Sequence, residues 1–304
     1  MLVVRLLGQL EIALDGRPVE LAARSAQALF AYLILHPGPQ PREVVADLLW
    51  PDSTAENSRA NLRHALWLVR QALESCGAVA DNYLVSSAAG VGFNRSAAFW
   101  LDVEALQREP PGACADDLAL AVAGYRGELL PGHYEPWVVL ERERLEAVFE
   151  RRMSRLLEML AGEERWDELA RRAEQWISFG TAPEPAYRAL MRARAAGGNY
   201  AAVQATFQHC VAALHDRLGV GPSPETRQLA AELTAASYQT GLPPGAATSA
   251  DSTALADALA LAATERARAE LYLAASQRLH RAVWLLSAAL SLAILSAWRR
   301  RRNR

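Results

Sequence analysis

The sequence predicts a mainly α-helical protein with a small α+β domain first, an all-α helical domain next and a hydrophobic helix at its end. Three observations support this fold class: short apolar runs around a tight-turn dipeptide, helical apolar patterns over most of the remainder, and an uncharged stretch near the C-terminus. We expect two domains over residues 1–98 and 99–238, a linker over residues 239–257 and a tail over residues 258–304. A chain of 304 residues, 51% of them hydrophobic, is long enough for this arrangement.

The chain opens with two apolar runs of strand length, residues 2–7 and 9–14. The dipeptide Asp15-Gly16 favours a tight turn, and a third extended segment follows over residues 17–21. These segments predict a small antiparallel sheet. Apolar side chains then recur at helical spacing over residues 24–36 and stop before a Pro-Gly-Pro run, and a shorter helix is expected over residues 42–50.

A third helix is expected at about residues 54–74. Ser53 and Glu56 have the Ser-x-x-Glu spacing of a capping box, which marks a helix start. Residues 57–73 carry three arginines and no acid. The apolar side chains recur at i, i+4, i+7 and i+11, which predicts one narrow buried stripe, formed by Leu62, Leu66, Val69 and Leu73.

Two short strands are expected next, over residues 81–86 and 91–94. The order of sheet, three helices and hairpin matches a winged helix-turn-helix. In that arrangement the third helix lies in the DNA major groove and the hairpin over residues 83–94 is the wing.

Residues 101–237 are expected to be almost entirely helical, with one long helix over residues 134–161. A 34-residue offset follows, which is the tetratricopeptide period and predicts a tetratricopeptide-like repeat domain. The offset relates Trp166, Leu169 and Ala173 to Tyr200, Val203 and Phe207.

Composition excludes several classes of protein. All 32 basic residues are arginine, so no Walker A, Schiff-base or kinase-type lysine exists. The three cysteines form no CxxC pair, and His209, Cys210 and His215 do not share a helix face, so neither a disulfide framework nor a metal site is expected. Acids and arginines alternate along residues 141–152, which is typical of an exposed helix with i,i+4 pairs. We therefore expect no enzyme, no catalytic residue and no cofactor.

The net charge of -2 hides an uneven distribution. Residues 1–100 hold 8 arginines against 9 acids, residues 101–237 hold 15 against 21, and residues 238–304 hold 9 against 4. Because phosphate binding follows local cation density, any nucleic-acid site must be a local patch in the first third or in the tail.

The tail contains residues 282–298, which carry no charge, have a tryptophan near each end and are flanked by arginines. Seventeen residues span about 25 Å as a helix, slightly less than a bilayer core. We expect a cytoplasmic protein and leave three alternatives for this segment: an anchor in the inner face of the cell membrane, a helix lying in the membrane interface, or a helix packed against a partner.

The third helix supplies most of the candidate DNA-binding residues, since guanidinium groups bind phosphate or guanine and Asn suits adenine. Trp67 lies opposite the apolar stripe, so it packs either on deoxyribose or against the wing or another domain. Asn57 lies on the far side of the same helix, and Arg24 and Arg42, near the starts of the two preceding helices, are weaker candidates. The candidates are Arg42, Arg59, Asn61, Arg63, His64, Trp67, Arg70 and Arg95.

Several motifs resemble SARP-type transcriptional regulators. The segments LLGQLEIALDGRPVEL, ALFAYLILHPG, VADLLWPD and SRANLRHALWLVRQAL are similar to their DNA-binding half, whose winged helix is of the OmpR type. The segments FWLDVEAL, YRGELLPGHYEPWVVLERERL, AYRALMRARAAGGNYAAVQATFQHCVAAL and LGVGPSPETRQL resemble the bacterial transcriptional activator domain that accompanies it.

The resemblance implies a bacterial regulator that binds double-stranded promoter DNA in a sequence-specific way. Its helical domain would support homodimerisation or contact RNA polymerase or another protein. The alternative is a tetratricopeptide-like protein-interaction scaffold, with or without a membrane tether, that does not bind DNA.

Overall fold

The computed structural model describes residues 1–87, 90–108, 110, 112–180 and 182–239. The chain begins with three strands, β1 (Leu2–Arg5), β2 (Glu11–Leu14) and β3 (Arg17–Pro18), paired antiparallel in the order β1, β2, β3. The turn between β2 and β3 has positive φ at both Asp15 and Gly16, the conformation that an Asp-Gly hairpin turn requires. The predicted antiparallel sheet is therefore confirmed.

The first strand is shorter than predicted, because the backbone leaves the β1–β2 ladder after Arg5. The N–H groups of Leu6 and Leu7 each donate to the carboxylate of Asp102 at 2.8 Å. The N–H of Val103 donates to the same carboxylate. Burial raises the pKa of Asp102 to about 6, although these three donors act in the opposite direction.

A strand that the sequence did not predict completes this sheet. It is β6 (Phe99–Leu101), which pairs parallel with β1, so the strand order is β3-β2-β1-β6. Three residues are too few to show a strand period. The sheet therefore includes residues on both sides of the predicted domain boundary at residue 98.

Three helices lie between β3 and the hairpin: α1 (Arg24–Leu35), α2 (Arg42–Leu49) and α3 (Ala55–Ser75). All three were predicted, but the predicted capping box was wrong. Thr54 is the N-cap of α3, and its hydroxyl accepts from the Asn57 N–H at 3.4 Å, so Ser53 lies one residue outside the helix. The predicted apolar stripe of α3 is confirmed, since all four of its side chains are buried.

The predicted hairpin consists of β4 (Leu84–Ser86) and β5 (Val91–Phe93), which pair antiparallel. A short 3-10 helix, Ala80–Asn82, precedes it. The backbone of Gln40, just before α2, exchanges two hydrogen bonds with Val91 at 2.7 and 2.9 Å. Gly90 makes this approach possible, because a Cβ there would lie 2.2 Å from the Gln40 carbonyl oxygen.

From Asp102 onward the named secondary-structure elements of the described chain are all helices, as predicted. The long helix begins at Pro136 and ends at Gly162, within two residues of the predicted limits at each end. Together with two shorter helices before it, this part of the chain consists of α4 (Asp102–Gln107), α5 (Ala115–Ala123) and α6 (Pro136–Gly162).

The predicted 34-residue offset coincides with two helix starts, because α7 begins at Trp166 and α9 begins at Tyr200. Leu169 and Val203, the next pair in the offset, are both buried. Each helix packs on the next one along the chain, and α8 also packs on α6 and α10. These helices are α7 (Trp166–Ser178), α8 (Glu184–Ala196), α9 (Tyr200–Leu218) and α10 (Pro224–Gln239).

Residues 1–240 form one compact unit. Its N-terminal and helical parts are joined across α1, where His133 Nε2 lies 3.2 Å from the Gln27 Oε1 atom and the Arg24 guanidinium donates to the Gly132 carbonyl. Tyr32 and Trp137 add an edge-to-face ring contact with centroids 5.3 Å apart. The two predicted domains therefore share contacts well beyond the linking strand.

No helix within residues 1–239, as far as the structure describes them, is long and apolar enough to span a membrane. The hydrophobic segment over residues 282–298 and the predicted tail lie outside the described residues.

Candidate nucleic-acid interface

The flank of α3 beside the buried stripe presents two exposed arginines. Arg63 makes no hydrogen bond or ion pair to any described residue, so its guanidinium group is available to a ligand. The Nε atom of Arg59 donates to the Ala55 carbonyl of the same helix at 3.0 Å, which leaves its two terminal nitrogens facing solvent. These two residues lie one helical turn apart, at i and i+4.

His64 and Trp67 form an exposed aromatic pair next to these arginines. Their rings stack with centroids 5.7 Å apart and an angle of 20° between the planes. Trp67 is 52% exposed, so neither the hairpin nor the helical layer covers it within the described chain. Both predicted environments for Trp67, deoxyribose or the wing or another domain, therefore remain predictions.

The asparagines lie on other parts of α3. Asn57 is exposed in the first turn, where its backbone N–H completes the Thr54 cap. Asn61 is half-buried on the flank opposite the arginines. Asn61 is therefore separated from Arg59 and Arg63 by the width of the helix.

Arg70, the third arginine of α3, already has a protein partner. Its Nη1 atom lies 2.7 Å from Asp81 Oδ1, in the 3-10 turn before the hairpin. This ion pair ties the C-terminal half of α3 to the segment that leads into β4. The positive charge of Arg70 is thus partly compensated by Asp81, whereas that of Arg63 is not.

The three remaining basic candidates also contact the protein. Arg42 donates to the Ser86 hydroxyl at 2.5 Å and so connects the start of α2 to β4. Arg95 donates to the Ile34 carbonyl at 3.1 Å, pairs with Glu104, and lies over the Phe99 ring. Arg24 donates to the Gly132 carbonyl, as described above. Their predicted DNA contacts remain predictions, and each would compete with an intramolecular contact.

Three residues that were not predicted as functional hold the hairpin against α2 and α3: Gln40, Asp81 and Ser86. Their partners lie 11 to 51 residues away in sequence. No local period or motif connects such pairs, so the only available signal was the order of the elements.

The acid–arginine pattern of α6 differs from its prediction. Arg142 donates to the carbonyls of Leu129, Leu130 and His133 and forms an ion pair with Glu128, outside its own helix. The side chain of Arg152 is buried, and its Nη2 atom donates to the Gln107 carbonyl at 2.7 Å. The prediction of an exposed helix with i,i+4 pairs was therefore wrong for both.

The His209, Cys210 and His215 group is spread around α9, as its spacing predicts. Cys210 is fully buried, which raises the pKa of its thiol to about 11, whereas both histidines are exposed. His209 contacts the Tyr187 ring edge-to-face. Among the residues that the structure describes, no cluster of three His, Cys, Asp or Glu side chains is arranged to hold a metal ion.

Comparisons with known proteins match this architecture. Residues 101–234 match the family model of the bacterial transcriptional activator domain. Among solved structures, the chain is similar to Mycobacterium tuberculosis EmbR in complex with a low affinity phosphopeptide, with a TM-score of 0.58 and 19% sequence identity, over 86% of this chain and 70% of that chain. No curated protein sequence matches significantly. The family match covers the part of the chain whose motifs resemble the activator domain of SARP-type transcriptional regulators, and the structural match supports the fold.

Proposed function

We propose that this protein is a sequence-specific DNA-binding transcriptional regulator that places α3 in the major groove of promoter DNA. The observation that carries the proposal is the exposed surface of α3, where Arg59, Arg63, His64 and Trp67 lie together with no acid between residues 57 and 73. An α-helix fits the width of the major groove, and guanidinium groups bind both phosphates and guanine edges.

The environment of α3 supports this proposal. Leu62, Leu66 and Val69 are buried against the rest of the N-terminal region, so the opposite surface is held outward by its own core contacts. A half-exposed tryptophan is costly to leave in water, and stacking on His64 covers only part of it. A deoxyribose or base edge would supply the missing apolar contact.

The hairpin of β4 and β5 is proposed as the wing. It is anchored to α2 by Arg42 and Gln40 and lies beyond Asp81, which is tied to α3, so hairpin and helix would approach a duplex as one rigid surface. Residues 82–95 contain no acid. The wing would then follow the phosphate backbone next to the groove that α3 occupies.

The helical part of the chain is proposed to make protein contacts, through homodimerisation or through the transcription machinery such as RNA polymerase. The match to a bacterial transcriptional activator domain supports this role. Exposed apolar side chains at Leu120, Tyr134 and Leu140 provide surface that a partner would cover.

The proposal is tested by measuring the affinity of the full chain for fragments of its own upstream region across a salt series. The logarithm of the binding constant should fall linearly with the logarithm of the salt concentration, since phosphate contacts release counterions. Arg63→Ala should reduce the slope by about 0.9, the value for one lost phosphate contact.

Arg192→Ala is the matched control. Arg192 is an exposed arginine of α8 with no partner among the described residues, so its loss should leave the slope unchanged. If no upstream fragment binds in a salt-dependent way, the protein is instead an interaction scaffold that uses the winged fold for protein contacts.

A further inference from the structure

A second cationic surface lies away from α3, in a cavity of about 690 Å³ between the end of α4 and one face of α6. We call it the arginine pocket. Four of its six lining side chains are arginines, and none of the described residues that line it is an acid. The lining residues are Gln107, Arg144, Val148, Arg151, Arg152 and Arg155.

The sequence spacing of α6 explains why these arginines converge. Arg144, Val148, Arg151 and Arg155 follow one another at i, i+4, i+7 and i+11, so they form one narrow stripe along the helix. Eleven residues correspond to about 16 Å of helix. The stripe is thus a row of guanidinium groups rather than a single charge.

Gln107 positions two of the four guanidinium groups. Its backbone carbonyl accepts from Nη2 of the buried Arg152 at 2.7 Å. When the Gln107 amide is oriented with its oxygen toward Arg144, this oxygen accepts from Nη1 and Nη2 of Arg144 at 2.9 and 2.6 Å. Arg144 also pairs with Glu141 at 2.8 Å. Contacts of this kind reduce the side-chain entropy that a ligand would otherwise have to remove.

Arg151 lies between Arg144 and Arg155 on the helix stripe. It is exposed and makes no hydrogen bond or ion pair to a described residue. The pocket therefore combines arginines that are already oriented with one that is available to close on a ligand.

We propose that the arginine pocket binds a small molecule that carries several phosphate groups, such as a nucleoside polyphosphate. Guanidinium groups bind phosphate oxygens bidentately, and several adjacent ones match a chain of phosphates better than a single one. The cavity volume lies within the range of small-molecule sites. A DNA duplex would only lie across its mouth. The site is separate from the proposed DNA-binding surface and does not depend on it.

The probe is inorganic tripolyphosphate, titrated into the full chain in a calorimeter at low salt, with orthophosphate as the single-phosphate comparison. We expect saturable binding of tripolyphosphate with one site per chain, and binding of orthophosphate at least tenfold weaker. Arg151→Ala should weaken tripolyphosphate binding about tenfold, the effect of one charge-assisted contact. Arg144→Ala should have a similar or larger effect, because it also frees Gln107.

Two controls separate this site from general charge and from the α3 surface. Arg192→Ala, and a double variant with Arg59→Ala and Arg63→Ala, should bind tripolyphosphate as the unmodified chain does. Circular dichroism establishes that each variant is folded.

Three outcomes would overturn the proposal: no saturable binding, equal binding by Arg151→Ala, or equal affinity for orthophosphate. A loss of DNA salt dependence in Arg151→Ala would also overturn it, because the pocket would then be part of the nucleic-acid surface.

Discussion

The helices α3 and α6 are both rich in arginine, but the protein uses those arginines differently. On α3, Arg63 faces solvent without a partner in the described chain. On α6, Arg142 donates to three backbone carbonyls and Arg152 is buried against the carbonyl of Gln107. The same residue type therefore serves as a structural clamp in one helix and as an exposed charge in the other.

The difference shows that whether a guanidinium group is available to a ligand depends on the groups packed beside it, and not on the number of arginines in its helix. A loop beside Arg142 presents three backbone carbonyls, and the Nε and Nη2 atoms of Arg142 donate to them. Arg63 donates to no such carbonyl in the part of the chain that the structure describes. A count of charges along the sequence treats both residues as equivalent, although only one of them can bind phosphate without breaking an internal contact.

The strongest test of this comparison is the stability of Arg142→Ala against that of Arg63→Ala. Loss of Arg142 leaves the Leu129 and His133 carbonyls without their donor, and the Leu130 carbonyl keeps only the His133 N–H. The Glu128 carboxylate also loses its partner, so we expect about 3 kcal/mol less free energy of unfolding. Loss of the exposed Arg63 should change stability by less than about 0.5 kcal/mol. Urea unfolding followed by circular dichroism measures both. Equal losses of stability in the two variants would show that Arg142 is no more important to the fold than Arg63.

An intermediate effect on stability is expected from Asp102, whose buried carboxylate joins the backbone after β1 to the start of α4. Its pKa is raised above the unfolded value to about 6, so the folded state holds the proton more tightly. The contribution of Asp102 to stability is then greatest at low pH and is lost as the pH rises through 6.

Between pH 5 and pH 7, Asp102 should lower the free energy of unfolding by about 1 kcal/mol. Asp102→Asn removes this titration, so urea unfolding of both proteins at each pH isolates the effect. An identical pH dependence in the two proteins would mean that the carboxylate titrates normally.

The smallest effect is expected within α3 itself. Arg70 is paired with Asp81, so Arg70→Ala should leave the salt slope of DNA binding unchanged and reduce stability by about 0.5 kcal/mol, as is typical of an exposed ion pair. Asp81→Ala is the complementary variant. Because it releases Arg70, it should steepen the salt slope if Arg70 lies within reach of the duplex. If Arg70→Ala instead reduced the salt slope of DNA binding, Arg70 would contact DNA as Arg63 is proposed to do.

Much of the fold was predictable because its periods are local. The apolar stripe of α3 and the Asp-Gly turn each depend on residues a few positions apart. The missed strand β6 has only three residues, and its partner β1 lies almost a hundred residues away. Pairing over such a separation leaves no local pattern to detect.

The candidate site was predictable in part. The sequence identified α3 and its exposed residues, since composition and helical spacing establish which side chains oppose the core. It did not distinguish Arg63 from Arg70, because only the position of Asp81 makes them different. It also treated α6 as a solvated helix, and so did not anticipate that Gln107 and the stripe of arginines meet in one cavity.

The amino-acid sequence by itself determined the long helices, the first antiparallel strands and which face of α3 is apolar, because those properties follow from spacing along one segment. The tertiary structure alone decided which arginines remain free, where the hairpin is held and how α4 meets α6. A charge interacts with whatever lies within a few ångströms, and that distance is set by the packing of segments that are far apart in the chain.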